Sequence, residues 1–161
     1  MRRIIGCVGM SAVAGLVMLA ATALAGEKVP LDKVPKAVQD AVKARFPKAE
    51  ITSIEKETNE GKVVYDIELK SEGRKYEMDI QEDGTVLEIE KEVAAKDVPE
   101  AVSKAIEAKY PKSKVKEVME VNKVKGKEEK PDHYEVTLET ADGKKLEVIV
   151  SLDGKSVKEE G

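Results

Sequence analysis

Between Val34 and Phe46, apolar side chains recur three and four residues apart: Val34, Ala37, Val38, Ala41, Val42 and Phe46. That spacing places them on one stripe of a 3.6-residue helix. Val98, Ala101, Val102, Ala105, Ile106 and Tyr110 repeat the stripe further along the chain. Pro35 and Pro99 suit the first helical turn, where the missing N–H breaks no bond. Pro47 and Pro111 disfavour helical geometry in the residue before them, so the helices are predicted to stop near Phe46 and Tyr110. The period then changes to two. Tyr65, Ile67 and Leu69 alternate with Asp66, Glu68 and Lys70, and Tyr76, Met78 and Ile80 alternate with Lys75, Glu77 and Asp79. Tyr134, Val136 and Leu138, then Leu146, Val148 and Val150, do the same in the second half. Alternation with one apolar face predicts half-buried antiparallel strands. Ser71-Glu72-Gly73, Glu82-Asp83-Gly84, Ala141-Asp142-Gly143 and Asp153-Gly154 are the turn residues between them.

The two halves are a tandem duplication. "VPKAVQDAVKARFPKAEI" from Val34 is matched by "VPEAVSKAIEAKYPKSKV" from Val98, "YDIEL" by "YEVTL", and "EDG" by "LDG", all in the same order. A first strand is predicted over Ile51–Glu57 and again over Val115–Val121. Its apolar spacing of three (Ile51, Ile54; Val115, Val118) implies a bulge or kink. The fold class is α+β, with two tandem modules, each one helix packed on one face of a four-stranded antiparallel sheet. The modules are expected at residues 26–93 and 94–161. One such copy without disulfides would be marginally stable. The segment from Glu90 to Asp97 is short and lacks Gly and Pro, so the copies are expected to pack as one rigid unit.

Residues 1–25 are expected to be a signal peptide. Arg2 and Arg3 precede an apolar run that ends on Ala23-Leu24-Ala25, and cleavage is expected after Ala25. Cys7 lies near the start of the run, which does not suit a lipid anchor. Cleavage would remove the chain's one cysteine, so the fold must hold by burial rather than disulfides. It would also take two of the 28 basic residues and leave the 32 acidic ones, moving the formal charge from −4 to −6. A mildly acidic, mixed surface argues against nucleic acid, which needs a basic stripe. No membrane attachment is expected after cleavage, and the location is periplasmic or secreted.

The phrase "VPKAVQDAVKARFPKAEI…YDIEL…EDG", present once per copy, resembles the PepSY-like domain, also described as beta-lactamase-inhibitor-like. The resemblance implies an exported, non-enzymatic α+β module whose partner is another exported protein, a peptidase or envelope enzyme that it binds or restrains. Beta-lactamase inhibitory proteins grip their enzyme with the open face of a sheet. This chain differs from them in lacking disulfides and in having one Phe, four Tyr and no Trp.

Two candidate surfaces follow. The outward strand positions Asp66, Glu68, Lys75, Glu77, Asp79, Glu135, Thr137, Glu139, Lys145 and Glu147, with Glu88, Glu90 and Ile149, form a free sheet face. It reads either as a solvated face whose charges oppose aggregation or as a docking surface for a basic partner. The lysine-rich stretch "VNKVKGKEEKPDHY", with Lys123, Lys125, Lys127, Lys130 and His133, is expected to make a longer hairpin than in the first copy, and it reads either as a binding loop or as a loose, charged tip. His133, the only histidine, is expected on an exposed loop, with no catalytic role. No cofactor is expected, since the mature chain has no cluster of His or Cys ligands. The acids of "DIQEDG" (Asp79, Glu82, Asp83) lack the calcium-loop spacing and read as a hairpin turn. A small-ligand or calcium-responsive envelope protein using the acidic face remains the alternative function.

Overall fold

The computed structural model describes residues 26–59 and 61–160. The leader, Cys7 and the cleavage position Ala25 lie outside them. Strand β1 (Glu27–Lys28) leads through a 3-10 turn to helix α1 (Lys36–Arg45). Strands β2 (Glu50–Asn59), β3 (Lys62–Ser71), β4 (Arg74–Gln81) and β5 (Val86–Glu92) follow. The second half repeats the order with α2 (Glu100–Lys109), β6 (Lys114–Lys125), β7 (Glu128–Glu139), β8 (Lys145–Ser151) and β9 (Val157–Glu159). All nine strands join one antiparallel sheet, each beside its neighbours in sequence.

The predicted periodicities become two cores on the same side of that sheet. Val34, Val38 and Val42 pack with Tyr65, Ile67, Leu69, Met78 and Ile80 in one. Val102 and Ile106 pack with Tyr134, Val136, Leu138, Val148 and Val150 in the other. Burying each of these aliphatic side chains contributes about 1.5–3 kcal/mol before chain entropy is charged against it. The helix ends fall where Pro47 and Pro111 require, with Phe46 and Tyr110 as the closing residues. Register shifts between Ile51 and Ser53 and between Val115 and Glu117 supply the bulge that the three-residue spacing implied.

Two local expectations change. Pro35 and Pro99 stand immediately before the helices rather than in their first turns, with extended ψ of 143° and 140°, and their carbonyls accept from Gln39 and Ser103. Ala37 and Ala101 are exposed rather than part of the buried stripe. The close approach of helix to sheet comes instead from the turn glycines. Gly84, at φ 88°, sits so near α1 that a Cβ would lie 2.8 Å from the Ala37 carbonyl oxygen, and Gly154, at φ 70°, is tighter still against Ala101. The repeated "DG" thus serves both the left-handed turn and the docking of the helix.

The register also shows that the repeat starts one strand earlier than the helix phrase suggests. Glu27 and Lys28 pair with Lys56 and Glu55, and the Val29 N–H donates to the Ile54 carbonyl. Lys91 and Glu92 pair with Glu120 and Met119, and the Val93 N–H donates to the Val118 carbonyl. Strand β1 therefore stands to β2 as β5 stands to β6. Strand β5 closes the first half and opens the second, which is why the two sheets are one.

Candidate functional site

Both helices cover the same side of the sheet, and the opposite side carries no helix, although Met119 and Val121 of β6 are buried there. That side forms a hollow of about 820 Å³ walled by residues from β2 to β8 and by Glu160. Of the predicted face, Asp66, Glu68, Lys75, Glu77, Asp79, Glu88, Glu90, Glu135, Thr137, Lys145, Glu147 and Ile149 line it. Glu139 does not; it lies at the end of β7, 2.7 Å from the Lys116 Nζ. Glu57, Glu117, Met119 and Lys123 join the wall without having been expected there.

Strand pairing stacks the acids across the sheet. Asp66 is opposite both Glu55 and Asp79, and Asp79 is opposite Glu88. One row along, Glu68 is opposite Glu77, which is opposite Glu90. Like charges directly across a strand pair repel. Here they do so on a curved, half-buried face where water screens poorly. Burial, then the charge of Asp79, pushes the Asp66 carboxyl up to about 7. Burial and Glu88 push Asp79 to about 6, and burial and Glu135 push Glu90 to about 9. The Asp66 Oδ1 is buried without a hydrogen-bond partner.

Cations soften the edges of this patch. Burial pulls the Lys75 ammonium down, but its hydrogen bond to Glu77 and the nearby charges of Glu77, Glu117 and Glu68 more than offset that. Its Nζ lies 2.6 Å from Glu77 and 3.4 Å from Glu117, tying the two halves together. Lys123 on β6 bonds Glu88 on β5. Lys145 lies 2.6 Å from Glu147. Asp66, Asp79 and Glu90 have no such cation in contact among the described residues.

The lysine-rich stretch departs from expectation. It is no loose tip: β6 and β7 run as a two-stranded ribbon to the turn at Gly126-Lys127, and Pro131 lies inside β7 beside a register shift. The ribbon separates the five candidate residues. Lys125, Lys127 and Lys130 stay exposed at its end, while Lys123 and His133 line the hollow. His133 is not an exposed loop residue. Its side chain is 13% exposed, with Nδ1 2.8 Å from Asp132 Oδ2 and Nε2 3.2 Å from Glu135 Oε1.

The turn "EDG" behaves as a turn, with the Asp83 Oδ1 accepting from the Thr85 N–H at 2.9 Å. Asp79 belongs to the hollow and not to this turn. Among the described residues no group of three or more His, Cys, Asp or Glu is arranged to hold a metal ion. No described helix is long and apolar enough to cross a membrane.

Comparison with known proteins agrees with the repeat and the fold. The family model described as "Putative beta-lactamase-inhibitor-like, PepSY-like" matches residues 22–88 and 64–158, the two matches overlapping around β3 to β5. A BLIP-like protein from Bacteroides fragilis is similar at 26% identity and TM-score 0.53, over 82% of this chain and 86% of that one. A DUF2874 family protein from Bacteroides uniformis shares the fold at 19% identity and TM-score 0.59, over 78% and 88% of the two chains. A structure from Bacteroides eggerthii described as "putative periplasmic proteins" shares it at 17% identity and TM-score 0.59, over the same shares. No curated protein matches. A duplicated helix-and-sheet unit, matched twice by one family model, makes this chain a member of the PepSY-like, beta-lactamase-inhibitor-like family.

Proposed function

We propose that the protein is an exported, non-enzymatic binding module of the periplasm or cell exterior that docks another envelope protein on the open face of its sheet, restraining it as an inhibitor would. The observation that carries this reading is the uncovered, hollowed face itself, with both helices on the far side. Its dimensions suit a macromolecule. Strands about 4.8 Å apart and some seven residues long make a surface of roughly 800 Å², which is what one partner contributes to a standard protein–protein interface. The continuous sheet presents that surface rigidly, which lowers the entropy cost of docking. The Bacteroides eggerthii structure described as "putative periplasmic proteins" and the leader expected at residues 1–25 support the location.

The test is site-specific photocrosslinking in living cells. A photoreactive residue at Glu77 or Thr137, on the open face, should yield one discrete higher-mass adduct. The same residue at exposed Lys104 or Glu107 of α2 should not. Equal adducts from both sides, or none from the open face, would remove the docking surface.

A further inference from the structure

The open face is acidic across both halves and most densely so over β3, β4 and β5, and that charge specifies the partner. The half built by β3, β4 and β5 carries the two acid rows, in which Asp66, Asp79 and Glu90 each face another carboxylate across a strand pair. The half built by β6 to β8 adds Glu117, Glu135 and Glu147 to the same wall beside Met119, Thr137 and Ile149, with Lys145 bonded to Glu147. Stacking carboxylates in register on a half-buried surface is repulsive, and Lys75 and Lys123 relieve Glu77 and Glu88 while leaving Asp66, Asp79 and Glu90 without a cation in contact among the described residues. Positive charge added from outside would turn the remaining repulsion into attraction. Burial first, and then these like charges, raise the proton affinity of Asp66 and Glu90. No point on the face gathers three ligands for a metal ion among the described residues. The remaining repulsion is spread along two rows spanning three strands, which suits a chain of cationic side chains rather than one ion.

We propose that the segment docking on this face is a lysine- or arginine-rich stretch of polypeptide, its cations laid along the acid rows of β3, β4 and β5. This rests on the docking reading above and deepens it by naming the partner's chemistry. Association would be steered electrostatically and weakened by salt.

The probe is a fluorescently labelled peptide of alternating lysine and serine, titrated by anisotropy into the full exported chain. A glutamate–serine peptide of equal length is the control. The lysine peptide should bind at low salt and weaken steeply as salt rises, and the glutamate peptide should not bind. Asp66→Asn, Asp79→Asn and Glu90→Gln together should lower affinity by about 30-fold. Asp32→Asn, Asp97→Asn and Glu107→Gln remove at least as much charge from exposed positions off this face and should lower it less than about 3-fold. Equal losses in the two triple variants would reduce the effect to net charge and overturn the proposal. So would spermine displacing the peptide completely at equal charge concentration, since that would make the face a polyamine site. Absence of lysine-peptide binding, with open-face adducts still forming in cells, would overturn the cationic segment and leave the docking reading standing. Absence of those adducts would remove the docking reading itself.

Discussion

Replacing Asp66 by asparagine should make the protein more stable near pH 8, although it deletes a native charge. The carboxyl titrates at about 7 in the folded chain against 3.8 when unconstrained, owing first to burial and then to Asp79, Glu77, Glu68 and Glu57. Between those values the folded chain holds a proton that the unfolded chain has released, so stability falls as pH rises through that window. Below about pH 4 both states are protonated and no penalty exists. Above about pH 7 the penalty is complete. Each unit is worth about 1.36 kcal/mol, which sets a ceiling of about 4 kcal/mol. Neighbouring carboxylates share the protons, which leaves roughly 2 kcal/mol to be recovered by the neutral amide. For a chain of this size that corresponds to a rise of roughly 6–10 °C in Tm. Urea unfolding followed by circular dichroism, near pH 8 and near pH 4 at low salt, measures it. Asp40→Asn, an exposed helix position paired with Lys36, serves as the control and should cost no more than about 0.5 kcal/mol. Unchanged or reduced stability of Asp66→Asn near pH 8, or the same gain at both pH values, would refute the electrostatic account of the face.

Gly154→Ala should destabilise by about 2 kcal/mol or more, because a Cβ there meets the α2 backbone at Ala101. Gly61→Ala, with φ 79° but open space around it, should cost only about 1 kcal/mol, and thermal melts of the pair separate the two contributions. Leu69→Ala and Leu138→Ala, both fully buried but in different cores, should each cost about 3 kcal/mol and move a single unfolding transition. Two separate transitions in the calorimeter would contradict the continuous sheet. Millimolar calcium and magnesium should shift Tm equally, as general screening of the acid face; a calcium-specific rise would indicate an ion site instead.

The helices, the strand faces and the turns were legible because each is written in a period or in a local backbone requirement: the three-four stripe of Val34 to Phe46, the alternation around Ile67, the glycine after Asp83. What was not legible depends on pairing between distant segments. The stacking of Asp66 on Asp79 and of Glu77 on Glu90 is a matter of register, which alternation within one strand does not specify. Glu117 and Met119 were missed, and Lys123 was assigned to the hairpin rather than to the face, because the bulge at Val115 breaks the phase that would have carried alternation from one end of β6 to the other. His133 was misread as a loop residue because Pro131 and Gly126 look like loop punctuation. The register shift beside Pro131 lets the strand continue past it. The part played by β1 escaped notice because two residues carry no pattern; only its hydrogen bonds reveal what it corresponds to.

A strand that belongs to both halves has a consequence for how such a molecule can grow. Copying the unit once brought its own joint, since the last strand of one copy was already the first strand of the next. No linker had to be invented and no new contact surface designed. Among the described residues the outermost strands are short, two residues in β1 and three in β9 at the place where β5 has seven. An array built this way adds by whole units while its rims stay too short to recruit a stranger's backbone.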